Sequence, residues 1–338
     1  MKSDQPPMRG LPRPARDGRG DATPLLVVGH GTRDDEGVAG FGKFVARLQG
    51  RLLPVDVAGG FIELSPPPLA EVVAELVARG HRRVAAVPLV LVSAGHGKGD
   101  IPAAMAREMV RHPGFSYTYG RPLGPHPALL RLLEQRLNAT LDAAAPRADT
   151  AVLLVGRGST DPDGNAEVHK VARLLWEGRG LGAVETAFVS LTGPDVPEGL
   201  DRCRRLGFRH IVVLPYFLFA GVLPDRVTAA ARAYAADHPE LDVRRAGVIG
   251  DCDGLADLVV ERYAEALAGD IRMNCDTCIY RAPMPGFDRK VGAPQVPHHH
   301  PDDPGPGHEH GHGHGHGQEH GHGHGDGHGH GHGDGHGH

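Results

Sequence analysis

The second half of the chain repeats the first half at an offset of 127 residues, and this internal repeat limits the possible folds more than any other feature. A chain of 338 residues is long enough for two compact domains. The repeat therefore predicts two domains that share one fold. The matched segments are residues 26–31 with 153–158, residues 61–65 with 188–192 and, after one residue of slippage, residues 95–96 with 221–222.

Short apolar runs alternate with amphipathic stretches over residues 23–270. This alternation is typical of parallel sheets covered by helices, and the continuous Val and Leu runs indicate strands buried on both faces. The predicted fold class is α/β, with two similar domains, each a parallel β-sheet flanked by helices, related by internal duplication. Strands are predicted at residues 24–29, 55–61, 83–91, 115–119, 151–156, 184–190, 210–217 and 242–248. Helices are predicted at residues 36–52, 67–80, 101–111, 127–143, 164–178, 195–207, 225–237 and 254–268.

Composition divides the chain into five segments. Apolar residues nearly vanish after about residue 290, and the first residues are rich in Pro, Arg, Gly and Asp, so both ends are predicted to be disordered. Pro146 lies at the natural join between the repeats. The predicted segments are a disordered leader at 1–22, a first domain at 23–145, a second domain at 146–270, a Cys-x-x-Cys segment at 271–290 and a disordered His-rich tail at 291–338.

Charge and hydropathy argue against several classes of protein. The formal net charge of −5 gives no reason to expect a nucleic-acid partner. No stretch approaches the roughly 20 apolar residues of a membrane span, and residues 1–22 lack the apolar core of a secretory signal. Four cysteines are too few for a disulfide scaffold. We therefore expect a cytoplasmic protein with no membrane or nucleic-acid partner.

Three reactive side chains are present in the first repeat and absent from the second, which marks them as a candidate site because a structural role would be needed in both. Each follows a predicted parallel strand, and open α/β sheets bind ligands at that edge. Two imidazoles and a carboxylate can bind a divalent metal, and a neutral imidazole can accept a proton. For each histidine alone, a local role in a turn or loop is the alternative, and for the carboxylate it is a solvated position or the entry to a helix. The three are His30, Glu63 and His96, aligned with Arg157, Ser190 and Val222.

The glycines around His30 do not complete a nucleotide-binding motif. Gly29 and Gly31 follow a predicted strand, but Asp34 stands where a dinucleotide fingerprint has its third glycine. The chain also lacks a phosphate loop that ends in Gly-Lys-Ser/Thr. We therefore expect no nucleotide cofactor.

The cysteines after the last predicted helix form a Cys-x-x-Cys turn. Cys275 and Cys278 can hold a soft metal or part of an iron–sulfur cluster, although further ligands would be needed because four are usual. A reduced surface pair or a redox pair is the alternative. Cys203, on a predicted helix, is expected to be a packed thiol.

The segment from about residue 298 to residue 338 repeats His-Gly and carries 16 of the 24 histidines. Many imidazoles on a flexible chain bind metals such as Co(II), Ni(II), Cu(II) and Zn(II). The tail is therefore predicted to sequester or deliver metal, and a purification tag is the alternative. The predicted tail ligands include His310, His312, His314, His316, His320, His322 and His324.

Together these features resemble the class II tetrapyrrole chelatases over about residues 24–281. The Cys-x-x-Cys segment and the tail are similar to the long form of the family that inserts cobalt. The motifs that carry the resemblance are Gly29-His30-Gly31-Thr32, Phe61-Ile62-Glu63, Pro88 with Gly95-His96, Cys275 and Cys278 followed by Ile279-Tyr280-Arg281, and the duplication itself.

The resemblance implies two chelatase-type domains that face each other across a cleft for a flat tetrapyrrole. The implied reaction is insertion of Co²⁺ into sirohydrochlorin with release of two protons and without ATP, on the anaerobic route to cobalamin. His30 and His96 match the family's metal-handling histidines, and Glu63 matches their acidic partner, so one active site per chain is expected. The Cys-x-x-Cys motif implies an iron–sulfur cluster or metal. Candidates for binding the substrate's carboxylates are Arg157, Arg33 and Lys98.

Three alternatives stay open at this point. The same residues could insert iron or nickel into sirohydrochlorin. A metal-storage protein or metallochaperone would depend on the tail and would tolerate the loss of His30. A two-lobed binding protein of the periplasmic type is the third alternative, and the missing signal argues against it. We expect a monomer or a homodimer.

Overall fold

The structure is a computed structural model that describes residues 22–141, 146–269, 289 and 291. Each strand and helix that the sequence predicts is present there. The strands are β1 (Leu25–Gly29), β2 (Val57–Phe61), β3 (Arg83–Pro88), β4 (Ser116–Tyr119), β5 (Thr150–Gly156), β6 (Ala183–Phe188), β7 (His210–Pro215) and β8 (Asp242–Arg245). The α-helices are α1 (Asp35–Leu52), α2 (Leu69–Ala78), α3 (Ile101–Arg111), α4 (Pro127–Asn138), α5 (Pro162–Trp176), α6 (Val196–Arg205), α7 (Val222–Asp237) and α8 (Asp253–Ala268).

The strands form two four-stranded parallel sheets with the same strand order, β2-β1-β3-β4 and β6-β5-β7-β8. In the first sheet β2 lies on one side of β1 and β3 lies on the other, so the strand order reverses at β1. In the second sheet it reverses at β5 in the same way. This reversal leaves a crevice at the carboxyl ends of the central strands, where open α/β sheets bind ligands. The predicted fold class is confirmed.

Buried apolar side chains cover both faces of each sheet. Alternate residues of a strand point to opposite faces, so Leu25 and Val27 join one core while Leu26 and Val28 join another. The first of these cores is shared by the two halves and contains side chains of α1, α4, α5 and α8. The outer faces pack against α2 and α3 in the first sheet and against α6 and α7 in the second. Among the described helices, none has the length and apolar character needed to cross a membrane.

The last helix of the second half packs on the sheet of the first half. Helix α8 lies against β3 and β4. Arg262 of α8 is fully buried and donates from Nε to the backbone oxygen of Pro122 (3.1 Å) and from Nη2 to that of Leu123 (2.9 Å). The loop after β4 is thereby fastened to the end of the chain.

The last helix of the first half makes the reciprocal contact. Helix α4 packs on β7, and its Arg136 donates from Nε to the backbone oxygen of Val248 (3.0 Å) and from Nη2 to that of Ile249 (2.6 Å). Arg136 and Arg262 are equivalent in the repeat, and so are their acceptors. In space the two halves exchange their last helices, and the domain boundary near Pro146 stays a prediction from the sequence.

Candidate active site at the edge of the first sheet

The structure brings His30, Glu63 and His96 together at the carboxyl edge of the first sheet. His30 follows β1, Glu63 follows β2, and His96 begins a short π-helix, His96–Asp100, that leads into α3. His30 Nε2 lies 2.6 Å from Glu63 Oε1, and the rings of His30 and His96 meet edge to face with their centroids 4.1 Å apart. The three side chains form one cluster because β1, β2 and β3 are parallel and end at the same edge of the sheet.

A close backbone approach holds the loops of this cluster together. Gly31 has a φ of +112°, and a Cβ atom there would lie 1.8 Å from the backbone oxygen of Glu63, so only glycine fits. The repeat keeps this turn: Gly158 has a φ of +90°, and its Cβ would lie 1.9 Å from the backbone oxygen of Ser190. The two halves thus share the backbone of the site and differ in its reactive side chains.

The Nε2 atom of His30 faces the carboxylate of Glu63 but forms no hydrogen bond with it. Nδ1 lies 3.1 Å from the backbone oxygen of Gly31, and because a carbonyl only accepts, Nδ1 carries the proton of the neutral ring. His30 Nε2 then carries no proton and is buried. Glu63 Oε1 lies 2.6 Å from this nitrogen, but among the described residues His30 Nε2 has no hydrogen-bond partner of acceptable geometry. Two acceptors at this distance repel each other unless a cation or a proton joins them. The pair is therefore suited to receive a metal ion.

The surroundings of His30 keep its ring neutral at physiological pH. Burial is the largest cause, and the charges of His96 and Arg157 act in the same direction, so the pKa of His30 is lowered from 6.5 to about 4. The hydrogen bond to Gly31 and the charge of Glu63 oppose the shift without outweighing it. Because a neutral imidazole binds metal without first losing a proton, His30 is ready to act as a ligand at pH 7.

A carboxylate that the sequence analysis did not single out lies behind His96. Asp100 Oδ2 accepts a hydrogen bond from His96 Nδ1 at 2.7 Å, which leaves His96 Nε2 bare for a metal. Carboxylates in this position set the tautomer and orientation of metal-binding histidines. The four-residue spacing is a helical signal, but the glycines at 95, 97 and 99 made the segment look like a loop. A π-helical turn is common at functional sites.

No group of three or more His, Cys, Asp and Glu side chains in the described part of the chain is already arranged around a metal position. The rings of His30 and His96 contact each other, and His30 contacts Glu63. An ion can therefore bind all three only if these side chains separate. This arrangement suits transient binding of a metal ion better than permanent binding.

Two of the three predicted carboxylate-binding residues are exposed. Arg157 lies within electrostatic range of His30 and Glu63, and although its side chain is exposed, nearby protein atoms lower its pKa while the charge of Glu63 opposes that shift. Arginine nevertheless keeps its proton in proteins. Arg33 is exposed on the loop between β1 and α1. Both cations stay candidates for binding substrate carboxylates.

Lys98 is placed differently from the sequence-based expectation. Its side chain is 5% exposed, and Nζ donates to Asp161 Oδ2 at 2.9 Å and to Asp163 Oδ2 at 2.8 Å. In this arrangement its ammonium group is paired with two carboxylates of the second half, and a role in binding the substrate stays a prediction. The expectation came from its nearness to His96 in sequence, which cannot show partners in the other half.

Several predicted metal-binding residues fall outside the described residues. These are Cys275, Cys278 and the tail histidines, and their roles stay predictions from the sequence. Cys203 is within the described residues and is buried in α6, where burial raises the pKa of its thiol to about 12. It is a packed thiol, as expected.

The duplicated parallel α/β fold places two histidines and a carboxylate, side chains of the types that bind divalent metals, at the edge of its first sheet. A protein-family model described as CbiX matches residues 24–140 and, a second time, residues 151–266. The chain belongs to the CbiX family. The predictions of a chelatase-type fold and of an enzyme of the chelatase class are thereby confirmed.

Curated relatives and solved structures agree with this assignment. The chain is 38% identical over 259 residues to the sirohydrochlorin cobaltochelatase of Priestia megaterium, which covers 76% of this chain and 84% of the relative. It is 32% identical over 248 residues to the sirohydrochlorin ferrochelatase of the same species, covering 72% and 90%. Its fold matches the structure of SirB from Bacillus subtilis with Fe3+ at a TM-score of 0.65 and 27% identity, covering 73% of this chain and 96% of that one.

Proposed function

We propose that this protein inserts Co²⁺ into sirohydrochlorin, with release of two protons and without ATP. The observation that carries the proposal is the bare, buried Nε2 of His30, which faces the Glu63 carboxylate beside the ring of His96. This set of donors suits a divalent ion. The two curated relatives described above act on sirohydrochlorin by name, which supports the same tetrapyrrole here.

The proposed mechanism divides metal binding and proton transfer between the three side chains. His30 and His96 hold the incoming Co²⁺ through their Nε2 atoms. Because the pKa of His30 is about 4, its ring binds metal well at pH 7 and is a poor acceptor for protons. Glu63, in contact with His30, is better suited to receive a proton as the pyrrole nitrogens exchange hydrogen for metal, and its charge offsets that of the ion.

The second copy is proposed to bind the macrocycle. Its edge carries Arg157 together with two exposed apolar side chains, Leu191 (61% exposed) and Val222 (51% exposed). Flat apolar rings pack on exposed apolar side chains, and an arginine fork matches carboxylates. Arg33 on the first copy is the other candidate for the carboxylates. The loss of the reactive residues from the second copy would thus suit it to hold the substrate.

Iron is the second candidate metal. The ferrochelatase relative and the iron-bound SirB structure support it, whereas the higher identity to the cobaltochelatase favours cobalt. Nickel stays the third alternative. The tail histidines would supply metal to the site, and the two cysteines at 275 and 278 would hold a cluster or metal. A cytoplasmic location and a monomeric or homodimeric state remain predictions from the sequence.

The test is the anaerobic absorbance change of sirohydrochlorin at buffered free Co²⁺, Fe²⁺ or Ni²⁺. The full chain and a chain that ends at Lys290 should both accelerate metallation, with Co²⁺ the fastest, and His30→Ala should not. If the chain without its tail is inactive while His30→Ala is fully active, the protein is a metal-storage protein or metallochaperone. Equal or faster insertion of Fe²⁺ would make it a ferrochelatase.

A further inference from the structure

A buried polar cluster fastens the loop that carries His96 to helix α5 of the second half. Lys98 Nζ donates to Asp161 and Asp163 at 2.9 and 2.8 Å, and the backbone N–H of Ser93 donates to Glu167 Oε2 at 2.7 Å. Ser93 and the three acidic residues are buried, and the side chain of Lys98 is 5% exposed. We name Ser93, Lys98, Asp161, Asp163 and Glu167 the latch.

The latch grips the chain on both sides of His96. Ser93 precedes the histidine and Lys98 follows it, so the segment between them cannot shift without breaking a buried contact. The same segment contains several glycines, which on their own would leave its backbone free to move. Helix α5 also lies directly on it, since a Cβ at Gly164 would be 2.7 Å from Cβ of Ala94. The second half therefore holds the backbone on both sides of His96.

Burying the charges of the latch is unfavourable, because each charged group loses its contact with water. Burial opposes the charge on Lys98, but hydrogen bonds and charges from both aspartates outweigh it, so the pKa of Lys98 is raised. Burial likewise raises the pKa of Glu167, against the hydrogen bond from Ser93. Buried ion pairs add little stability compared with apolar packing, while they define geometry when all partners are present. The buried charges of the latch are therefore better explained by a role in positioning the loop than by a role in stability.

The equivalent contact, between the loop after β7 of the second half and helix α1 of the first half, is apolar. There Phe219 packs over Gly40, and its ring faces that of Phe44 with centroids 5.9 Å apart. The loop fastened in this way carries Val222 in the place of His96. An apolar contact thus serves the loop without a metal ligand, and a polar latch serves the loop with one. Glu167, Lys98 and Ser93 align with Gly40, Pro224 and Phe219.

We propose that the latch positions His96 for metal transfer, so that the degenerate second domain determines the distance between the two metal-binding histidines. The four side chains that make the latch, those of Lys98, Asp161, Asp163 and Glu167, act through His96 and do not touch the substrate. They are positioning residues. This inference rests on the proposed chelatase function.

The test compares variants of the full chain in anaerobic sirohydrochlorin metallation at buffered free Co²⁺. Glu167→Ala and Lys98→Met should raise the KM for Co²⁺ about 10- to 100-fold, the range found when supports of metal ligands are removed. Sirohydrochlorin affinity, measured without metal by absorbance titration, should stay at the wild-type value. Glu167→Gln keeps an acceptor for the Ser93 N–H and should restore the KM for Co²⁺. If Lys98→Met does not fold, Asp163→Asn takes its place.

Arg136→Met is the matched control, because it removes a fastening between the halves that lies away from His96. It should lower the Tm while the KM for Co²⁺ stays unchanged. The inference is overturned if the wild type is active and the latch variants keep the wild-type KM, or if Arg136→Met raises that KM equally. A wild type that accelerates no metallation overturns the proposed function first, and the inference with it.

Discussion

At the scale of single residues, the site depends on which nitrogen of each histidine is bare. The backbone oxygen of Gly31 accepts a hydrogen bond from His30 Nδ1, and Asp100 accepts one from His96 Nδ1. Both Nε2 atoms are left as acceptors. A comparison of the chain with itself finds His30, whose counterpart is Arg157. At the shifted offset the same comparison sets Asp100 against Arg226, but the glycines around Asp100 indicated a loop, so its carboxylate was not singled out.

Acid should destabilise the protein through His30. The folded-state pKa of about 4 lies below the ordinary 6.5, so between these values the unfolded chain binds a proton that the folded protein does not. Stability should therefore fall as the pH drops from about 6.5 towards 4, by roughly 2 kcal/mol between pH 7 and pH 5. Urea unfolding of wild type and His30→Asn at both pH values measures this loss. An equal loss in the two proteins would contradict the assignment.

Asp100 should control cobalt use without touching the macrocycle. Asp100→Ala frees the His96 ring to turn and to change tautomer, so we expect the KM for Co²⁺ to rise about tenfold. Asp100→Glu keeps a carboxylate and should recover part of the loss. Steady-state metallation at varied free Co²⁺ tests this, and an unchanged KM in Asp100→Ala would mean that His96 does not need the carboxylate.

At the scale of elements, the sequence predicted the strands and helices well. The central strands β1, β3, β5 and β7 are buried almost throughout, whereas the edge strands β4 and β8 are only half-buried or exposed. The ends were less certain. Strand β3 was predicted to reach residue 91 and ends at Pro88, although Leu89 is 5% exposed. The backbone N–H of Leu89 still donates to the backbone oxygen of Val28 at 2.8 Å, and the chain becomes half-buried at residues 90–92. Hydrophobicity reports burial rather than hydrogen bonding, so it extends the predicted strand into the loop that leads to the site.

The two equivalent helix starts should differ in their contribution to stability. Asp34 caps α1 by accepting from the N–H of Gly37 at 2.8 Å, and Asp161 caps α5 but also binds Lys98. Asp34→Ala should cost about 1 kcal/mol, the usual value of a cap. Asp161→Ala should cost about 3 kcal/mol, because it also removes one partner of a buried ammonium. Urea unfolding measures both, and equal losses would mean that the buried pair contributes nothing.

At the scale of the whole molecule, the exchange of α4 and α8 joins the two halves. The repeat predicted two domains of one fold, but it could not show that each last helix crosses to the other sheet. An alignment gives the order of elements, whereas the choice of sheet depends on packing between residues far apart in sequence, such as Arg262 and Leu123. The partners of Lys98 were hidden for the same reason.

The first half should not fold alone as a monomer. A fragment of residues 22–145 lacks α8, so the inner face of β3 loses its cover and the backbone oxygens of Pro122 and Leu123 lose Arg262. We expect it to fold only as a dimer that exchanges α4, or when mixed with residues 146–269. Near-UV circular dichroism with sedimentation measures this. A monomeric fragment with native-like side-chain signals would contradict the expectation.

The helix exchange also determines when the protein can mature during its synthesis. Helix α8 is among the last described segments to leave the ribosome, yet it covers a sheet made near the start. The loop that carries His96 also reaches its final position late, because its partners at the start of α5 are translated after it. A nascent chain therefore carries its histidines in an unfinished arrangement, and it can take up metal in an ordered way only after both halves have emerged.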